Sequence, residues 1–175
     1  DGKMIAVGSA DDALGIWDAA TGKAIRQGMG HKKGISSIAF SPDGKAIAAG
    51  SSDGVTRLWS VPAGEPVRTF EVGRKIFVTS VDFSPDGKTI ASGSADGILR
   101  LWSVASGLPI HALQDGAQRL TCIAFSADGK TVASGSEDGA VRLREVATGK
   151  PMRTLDKFTR MVSSVAFSAL SLIHI

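Results

Sequence analysis

The sequence predicts an all-β fold, a β-propeller of about four blades with four antiparallel strands each, and two observations carry that prediction. The first is a repeat: four phenylalanines lie 43, 42 and 42 residues apart, at Phe40, Phe83, Phe125 and Phe167. The second is that each repeat carries strand signals and almost no helix signal. A period of that length with short strands is typical of a propeller, in which each repeat folds as one blade.

Turn residues return at the same points of the repeat and divide it into short strands. Residues 84–87 read Ser-Pro-Asp-Gly, where proline presets φ and glycine accepts a positive φ. Residues 95–97 read Ala-Asp-Gly and predict a second tight turn. The apolar and β-branched segments between these turns are too short for helices, so strands and turns alternate along each repeat.

Three complete units are predicted, at residues 31–73, 74–115 and 116–157. Residues 1–30 form a partial blade that lacks its first strand, and residues 158–168 supply the first strand of a further blade. The predicted strands, in chain order, are 4–7, 13–18 and about 24–25; 35–40, 46–51, 55–60 and 66–70; 78–83, 89–94, 98–103 and 109–113; 120–125, 131–136, 140–145 and 151–155; and 162–167.

The chain departs from the repeat after Ser168, because the turn residues are absent from the non-repeat tail at 169–175. A native extension is one interpretation of this tail; we favour foreign sequence joined to a chain that was cut within a unit. We also expect a partial propeller, an arc cut from a longer ring. The alternatives are a strained four-blade ring, closed by pairing residues 162–167 with 4–9, and an eight-blade ring of two chains.

Composition limits the classes of function. The chain has 175 residues, a formal net charge of +3 and one cysteine, Cys122, so no disulfide can form within it. No apolar run is long enough for a membrane span and no signal peptide is visible, so we expect an intracellular protein, cytoplasmic or nuclear. The mild positive charge permits acidic partners without requiring them.

No residue pattern predicts catalysis, a cofactor or a metal. The histidines His31, His111 and His174 lie at unrelated points of the repeat, so a metal site built from them is not expected. One aspartate per turn, without an alternating acidic ladder, indicates turn formation rather than calcium binding. The sequence has neither a nucleophile elbow nor a dinucleotide fingerprint. We therefore predict a protein that is not an enzyme and has no catalytic, cofactor-binding or metal site.

The repeat resembles the WD-repeat (Trp-Asp repeat) β-propeller family over roughly residues 1–168. Residues 30–31 match that family's Gly-His pair, and residues 17–18 match its Trp-Asp pair. The next two units keep the tryptophan, as Trp59 and Trp102. The resemblance implies WD-type blades and a role in protein interaction.

In that family a buried network joins the histidine, a strand serine or threonine, the turn aspartate and the tryptophan of each blade. Carried over, the resemblance implies a structural network at His31, Asp53, Trp59, Ser92, Asp96, Trp102, Ser134 and Asp138. Counting along the repeat places Arg74 and Gly116 where the histidine would be, and Arg144 where the fourth tryptophan would be. An arginine is costly to bury without a partner, so we expect its head to reach solvent or an acid and Arg144→Trp to be tolerated.

The resemblance also implies that the links between successive blades lie on the same face as the aspartate turns. These links carry a candidate partner-binding rim of Lys32, Lys33, Arg74, Lys75, Arg119, Lys157 and Arg160. The same links also carry three acidic residues that reduce this charge: Glu71, Asp115 and Asp156. The rim is predicted to attract an acidic or phosphorylated partner, with ordinary solvated loops as the alternative. Packing of aliphatic stems along a blade face is expected for three further arginines, Arg57, Arg100 and Arg142.

Together these expectations predict a non-catalytic scaffold of WD-repeat type that presents the loops of its propeller to other proteins. One alternative is a regulatory or sensor propeller attached to a catalytic domain absent from this chain. Another is binding of nucleic acid or phospholipid through the basic rim, which salt would weaken steeply. The remaining blades of a longer parent chain are a further partner that we expect.

Overall fold

A computed structural model describes residues 2–61, 63–116, 118–155 and 158–168. Within these residues the fold is all-β and contains no helix. The strands, numbered in chain order, are β1 Met4–Gly8, β2 Ala13–Asp18, β3 Ala24–Gly30, β4 Ile35–Phe40, β5 Ala46–Ser51, β6 Val55–Ser60, β7 Pro66–Glu71, β8 Val78–Phe83, β9 Thr89–Ser94, β10 Ile98–Ser103, β11 Pro109–Gln114, β12 Leu120–Phe125, β13 Thr131–Ser136, β14 Val141–Glu145 and β15 Pro151–Leu155.

The strands form four antiparallel sheets, which we call blades 1 to 4 in chain order. Blade 1 contains the three strands β1–β3, and blades 2 to 4 contain the four-stranded sheets β4–β7, β8–β11 and β12–β15. This confirms the predicted propeller architecture. The tryptophan strand is third in blades 2 and 3, and Trp59 and Trp102 are only 4% and 5% exposed, as predicted.

Most strand ends agree with the prediction. β14 begins at Val141 rather than at residue 140. β3 is longer than the short strand predicted, and its pairing with β2 shifts register twice. β7 and β11 each extend one residue beyond the predicted end.

The strand predicted at residues 162–167 is wrong, because these residues have no ladder pairing. They still lie beside β12: the N–H of Val162 donates to the carbonyl of Ser136 at 3.1 Å, and the Thr121 hydroxyl donates to the carbonyl of Val162. The first strand of each complete blade pairs only with the second strand of that blade. For residues 162–167 the second strand would have to follow residue 168, and the predicted tail at 169–175 lies outside the described residues.

The apolar core lies between neighbouring blades, where each sheet packs its side chains against the next. Between blades 1 and 2, Leu14 and Ile16 pack against Ile47, and all three are fully buried. Glycine permits the close approach of the sheets, since a Cβ added at Gly50 would lie 2.5 Å from a methyl group of Val78 in the next blade. Further clusters of this kind join blade 2 to blade 3 and blade 3 to blade 4.

The blades follow one another in a row. β1 packs beside β4, β4 beside β8, and β8 beside β12. Among the described residues, β1 pairs only with β2, and no ladder joins it to residues 162–167. The four-blade ring that such a ladder would close is therefore not formed, and the described blades are an open row.

Candidate functional site

One face of the propeller carries both the aspartate turns and the links between blades. The N–H of Ser52, in the turn after β5, donates to the carbonyl of Gly34 in the preceding link at 3.1 Å. In blade 3 the N–H of Ala95 donates in the same way to Phe77 at 2.8 Å. We call this the loop face. Because the strands are antiparallel, the Asp-Gly-Lys turns after each first strand lie at the opposite ends of the sheets.

The centre of blade 2 is built around a buried, neutral histidine. Nε2 of His31 lies 3.1 Å from the carbonyl oxygen of Ala49, and its ring meets Trp59 edge-on with centroids 5.4 Å apart. Burial lowers the pKa of His31, which outweighs the opposing effect of Asp53. Nε2–H therefore donates to Ala49, while Nδ1 accepts from the guanidinium of Arg57. The predicted members His31, Asp53 and Trp59 do lie together.

A repeated ion pair fixes the aspartate turn of each complete blade. Arg57 pairs with Asp53 at 2.7 Å, and the same bond recurs at 2.8 Å between Arg100 and Asp96 and between Arg142 and Asp138. Burial raises the pKa of Asp53, but hydrogen bonds from Arg57 and from the backbone N–H of Lys32 outweigh it and hold the pKa below its usual value. Only packing of their aliphatic stems was expected for these arginines. Their constant spacing of four residues from the turn aspartate was the signal for the ion pair.

Blade 3 keeps only part of the implied network. The indole N–H of Trp102 donates to the hydroxyl of Ser92 at 2.8 Å, so these two predicted members are joined. The third, Asp96, is not joined to them; it accepts instead from Ser94 at 2.6 Å and from Arg100. Trp102 is therefore held by a strand hydroxyl without the turn aspartate.

The backbone shows which residue stands in the histidine position of each blade. The N–H of His31 donates to the carbonyl of Asp12 in the preceding turn at 3.1 Å. The equivalent donors in blades 3 and 4 are Val72 and Asp115, at 3.0 and 2.9 Å from Gly54 and Gly97. Placing Arg74 and Gly116 there was therefore wrong, because counting along the repeat assumed links of constant length.

Blade 4 has an ion pair at its centre, with Asp115 in the histidine position and Arg144 in the place of the tryptophan. Asp115 is 1% exposed and accepts a hydrogen bond from the hydroxyl of Ser134 at 2.6 Å. Nε of Arg144 also donates to Asp115, and its other nitrogens donate to the carbonyls of Gly149 and Gln114 at 3.0 and 2.7 Å. Arg144 thus reaches an acid, as expected.

Two other expectations for blade 4 disagree with this geometry. The predicted members Ser134 and Asp138 are not joined, since Asp138 pairs with Arg142. Tolerance of Arg144→Trp is also unsupported, because that change would leave the buried carboxylate of Asp115 without its counter-ion.

The predicted rim is exposed on the loop face as far as the structure describes it. Six cations have exposed side chains that take part in no ion pair among the described residues: Lys32, Lys33, Arg74, Lys75, Arg119 and Arg160. Lys157 lies outside those residues. Counting Asp115 as a surface acid was wrong, because it is buried; Asp156 is not described. Two further exposed acids, Asp11 and Glu137, were left out of the count of acids near the rim because they lie in turns rather than in links.

In the described part of the chain, no group of three or more histidine, cysteine, aspartate or glutamate side chains could hold a metal ion. Cys122 is buried with a free thiol. None of the described residues belongs to a helix that could cross a membrane. The exposed cations make the loop face the candidate functional site.

Fold, turns and blade centres together define a β-propeller of the WD-repeat type. The chain belongs to the family described as the IFT122 first beta-propeller, which matches residues 1–173. Among solved structures it is similar to the crystal structure of the computationally designed Ika8 protein, at 25% identity and a TM-score of 0.85. That similarity covers 96% of this chain and 51% of the designed chain, so this chain spans about half its length. Comparison with curated proteins finds no match.

Proposed function

We propose that this propeller is a non-catalytic scaffold that binds other proteins on its loop face, and that an acidic or phosphorylated segment docks on the links that lead into blades 2 and 3. We call Lys32, Lys33, Arg74 and Lys75 the basic cluster. Membership of a propeller family supports the general role. The finer assignment rests on one observation: the four cations of the cluster are exposed and take part in no ion pair among the described residues.

Both halves of the basic cluster flank the same turn. The N–H of Lys32 donates to the carboxylate of Asp53 at 3.0 Å, which ties the first link to this turn. The N–H of Val72 donates to the carbonyl of Gly54 at 3.0 Å, which ties the second link to it. Asp53 is itself neutralised by Arg57, so the turn does not cancel the charge around it. A segment lying across this turn would meet cations on both sides.

The cluster also adjoins an exposed aromatic side chain. Phe77, at the end of the second link, is 41% exposed. An aromatic group beside clustered cations suits a partner that combines acidic residues with an apolar one, because aromatic anchors carry much of the energy in protein interfaces. The charges would steer such a partner and raise its rate of association. Rigid blades would hold both links in place.

The proposal also covers the location of the protein and its relation to a longer parent chain. The scaffold would act inside the cell, in cytoplasm or nucleus. Further blades of a longer parent chain would contact the outer sides of blades 1 and 4 rather than the loop face. A catalytic domain elsewhere in a parent chain would make the propeller a regulatory module while leaving its own role one of binding.

The test is charge reversal with a matched control on the opposite face. Changing the basic cluster to glutamate (Lys32→Glu, Lys33→Glu, Arg74→Glu and Lys75→Glu) should weaken binding of a fluorescent acidic phosphopeptide by more than tenfold in anisotropy titrations. The control changes four exposed lysines at the other ends of the strands and shifts net charge equally: Lys23→Glu, Lys45→Glu, Lys88→Glu and Lys130→Glu. It should bind as the unmodified protein does, and affinity should fall as salt rises.

Two further arms separate the partner classes. A single-stranded oligonucleotide and vesicles containing anionic lipid are titrated in the same way. If either binds through the basic cluster while the peptide does not, the protein-interaction proposal is overturned in favour of that ligand. Peptide binding that ignores both the cluster and salt would overturn the assignment of the site.

A further inference from the structure

The turn that the basic cluster flanks belongs to a blade with a histidine at its centre. His31 directly precedes Lys32 and Lys33 in the link, so half of the basic cluster is attached to it. Val72 and Asp115 stand in the same position of blades 3 and 4. Of the three complete blades that the structure describes, blade 2 alone therefore places an imidazole, the ring that takes up a proton in mild acid, beneath its turn.

The side chains of His31, Asp53 and Arg57 share their hydrogen bonds. Arg57 donates to Oδ2 of Asp53 at 2.7 Å and also to Nδ1 of His31. The same Nδ1 lies 3.3 Å from both carboxylate oxygens of Asp53, and it has no proton to donate while the ring is neutral. The side chains of His31 and Asp53 are 0% and 8% exposed, whereas that of Arg57 is 20% exposed. Arg57 is therefore the member of the three that reaches solvent.

A second proton can enter the ring only at Nδ1, because Nε2–H of His31 already donates to the carbonyl of Ala49. The protonated Nδ1 cannot accept from Arg57, and its new N–H faces the carboxylate of Asp53. The imidazolium also repels the guanidinium beside it. Protonation thus exchanges the donor to Asp53, since the imidazole gains that hydrogen bond and Arg57 loses it.

The charges around the ring oppose one another. Burial lowers the pKa of His31, as does the positive charge of Arg57, whereas the negative charge of Asp53 favours the protonated ring. Ala49 and Trp59, which touch the ring from β5 and β6, are uncharged. The preceding turn and the link itself add four further charged side chains: Asp11, Asp12, Lys32 and Lys33.

Blades 3 and 4 keep the same ion pair without a competing ring. Arg100 and Arg142 pair with their turn aspartates at 2.8 Å. The residues in the histidine position there, Val72 and Asp115, bring no imidazole to those carboxylates. These two blades therefore serve as internal controls for any effect of acid on the ion pair of blade 2.

We propose that protonation of His31 transfers Asp53 from Arg57 to the imidazole, and that the released Arg57 then binds the anionic partner together with the basic cluster. This regulation rests on the function proposed above, because it acts on the same docking surface. Lys32 and Val72 tie the two links to this turn, so the freed guanidinium joins cations already placed around it. The partner is therefore bound more tightly in mild acid, and by linkage its binding favours protonated His31.

The first test compares affinity in neutral and mildly acidic solution. The probe is a fluorescent peptide carrying tyrosine sulfates, whose charge stays constant between about pH 7.5 and about pH 5, the range in which histidine titrates. Anisotropy titrations should show about fivefold tighter binding at the lower pH, the gain from one unit charge about 4 Å from an anion in water. Arg57→Gln should remove this gain, while Arg100→Gln, the matched change in blade 3, should keep it.

A second variant tests the ring itself. His31→Val should also remove the gain, and it gives blade 2 the residue type that blade 3 has at Val72. A gain that survives in Arg57→Gln or in His31→Val overturns the inference. Its absence from unmodified protein that binds the peptide at about pH 7.5 overturns the inference as well.

The last test needs no partner and so separates this inference from the proposed function. NMR follows the guanidinium Nε–H signals of Arg57 and Arg100 as the free protein is acidified. The signal of Arg57 should shift with the midpoint of the His31 ring, and that of Arg100 should not. An Arg57 signal that ignores protonation of His31 overturns the switch and leaves the proposed function intact. A switching Arg57 in a protein that binds no anionic peptide at either pH overturns the proposed function, and with it the role of Arg57 in binding.

Discussion

Blades 2 and 4 share a backbone hydrogen bond at their centres but differ in the side chains that fill those centres. In both, the residue in the histidine position donates its N–H to the preceding turn, at 3.1 Å from His31 and 2.9 Å from Asp115. Blade 2 then packs a neutral imidazole against Trp59. Blade 4 pairs a buried carboxylate with Arg144. The comparison shows that the repeat fixes the backbone path, while the centre has only to satisfy its own buried polar groups.

The largest expected effect comes from removing an aromatic centre. Trp102→Ala should lower the free energy of unfolding by about 3–5 kcal/mol, because it deletes a large buried side chain and leaves the hydroxyl of Ser92 without its donor. Urea unfolding at one fixed protein concentration measures this. The control Phe77→Ala removes an exposed aromatic side chain and should cost less than about 1 kcal/mol. Equal losses for the two variants would show that Trp102 is not a core residue.

The charged centre of blade 4 should be nearly as sensitive. Arg144→Trp is expected to cost about 3 kcal/mol, since the side chain of Asp115 is fully buried and would keep only the hydrogen bond from Ser134. Arg142→Trp, two residues away in the same strand, disrupts an ion pair that is partly exposed and should cost less than about 1 kcal/mol. If Arg144→Trp is as mild as Arg142→Trp, the buried pair contributes nothing to stability.

The smallest expected effect is a pH dependence of stability that comes from His31 in blade 2. Burial lowers the pKa of His31 in the folded protein, whereas the unfolded chain takes up its proton near the ordinary value of about 6.5. The unfolded state then binds more protons as pH falls below that value, so the contribution of His31 to stability is lost in that range. Urea midpoints at about pH 7.5 and about pH 5 should differ less for His31→Gln. An unchanged difference would mean that His31 is not held neutral.

The sequence predicted the strands, their order and the third-strand tryptophans well, because turn residues recur at fixed points and strands of a meander pair with their neighbours. The prediction failed where the number of residues between one blade and the next varies. The links into blades 2, 3 and 4 differ in length, so Val72 and Asp115 stand where counting placed Arg74 and Gly116. Asp115 is buried because the link into blade 4 places it in the histidine position, and the local sequence does not show this.

The strand predicted at residues 162–167 failed for a different reason. Its residues fit the pattern of a first strand, but a ladder requires a second strand beside it, and local pattern carries no information on whether that strand is present. The ion pairs of the aspartate turns could have been predicted. Each arginine lies four residues after its aspartate, across a turn that brings the two side chains to the same end of a blade.

The most direct test of the difference between blades 2 and 4 is a double-mutant cycle that converts one centre into the other. Asp115→His is added to Arg144→Trp, which recreates the histidine and tryptophan of blade 2, with Ser134 placed to accept from the indole as Ser92 does. We predict that the double variant is more stable than Arg144→Trp alone, with a coupling energy of at least about 1 kcal/mol between the two sites. Losses that simply add, to within about 0.5 kcal/mol, would contradict the account, because the two positions would then not form one interchangeable centre.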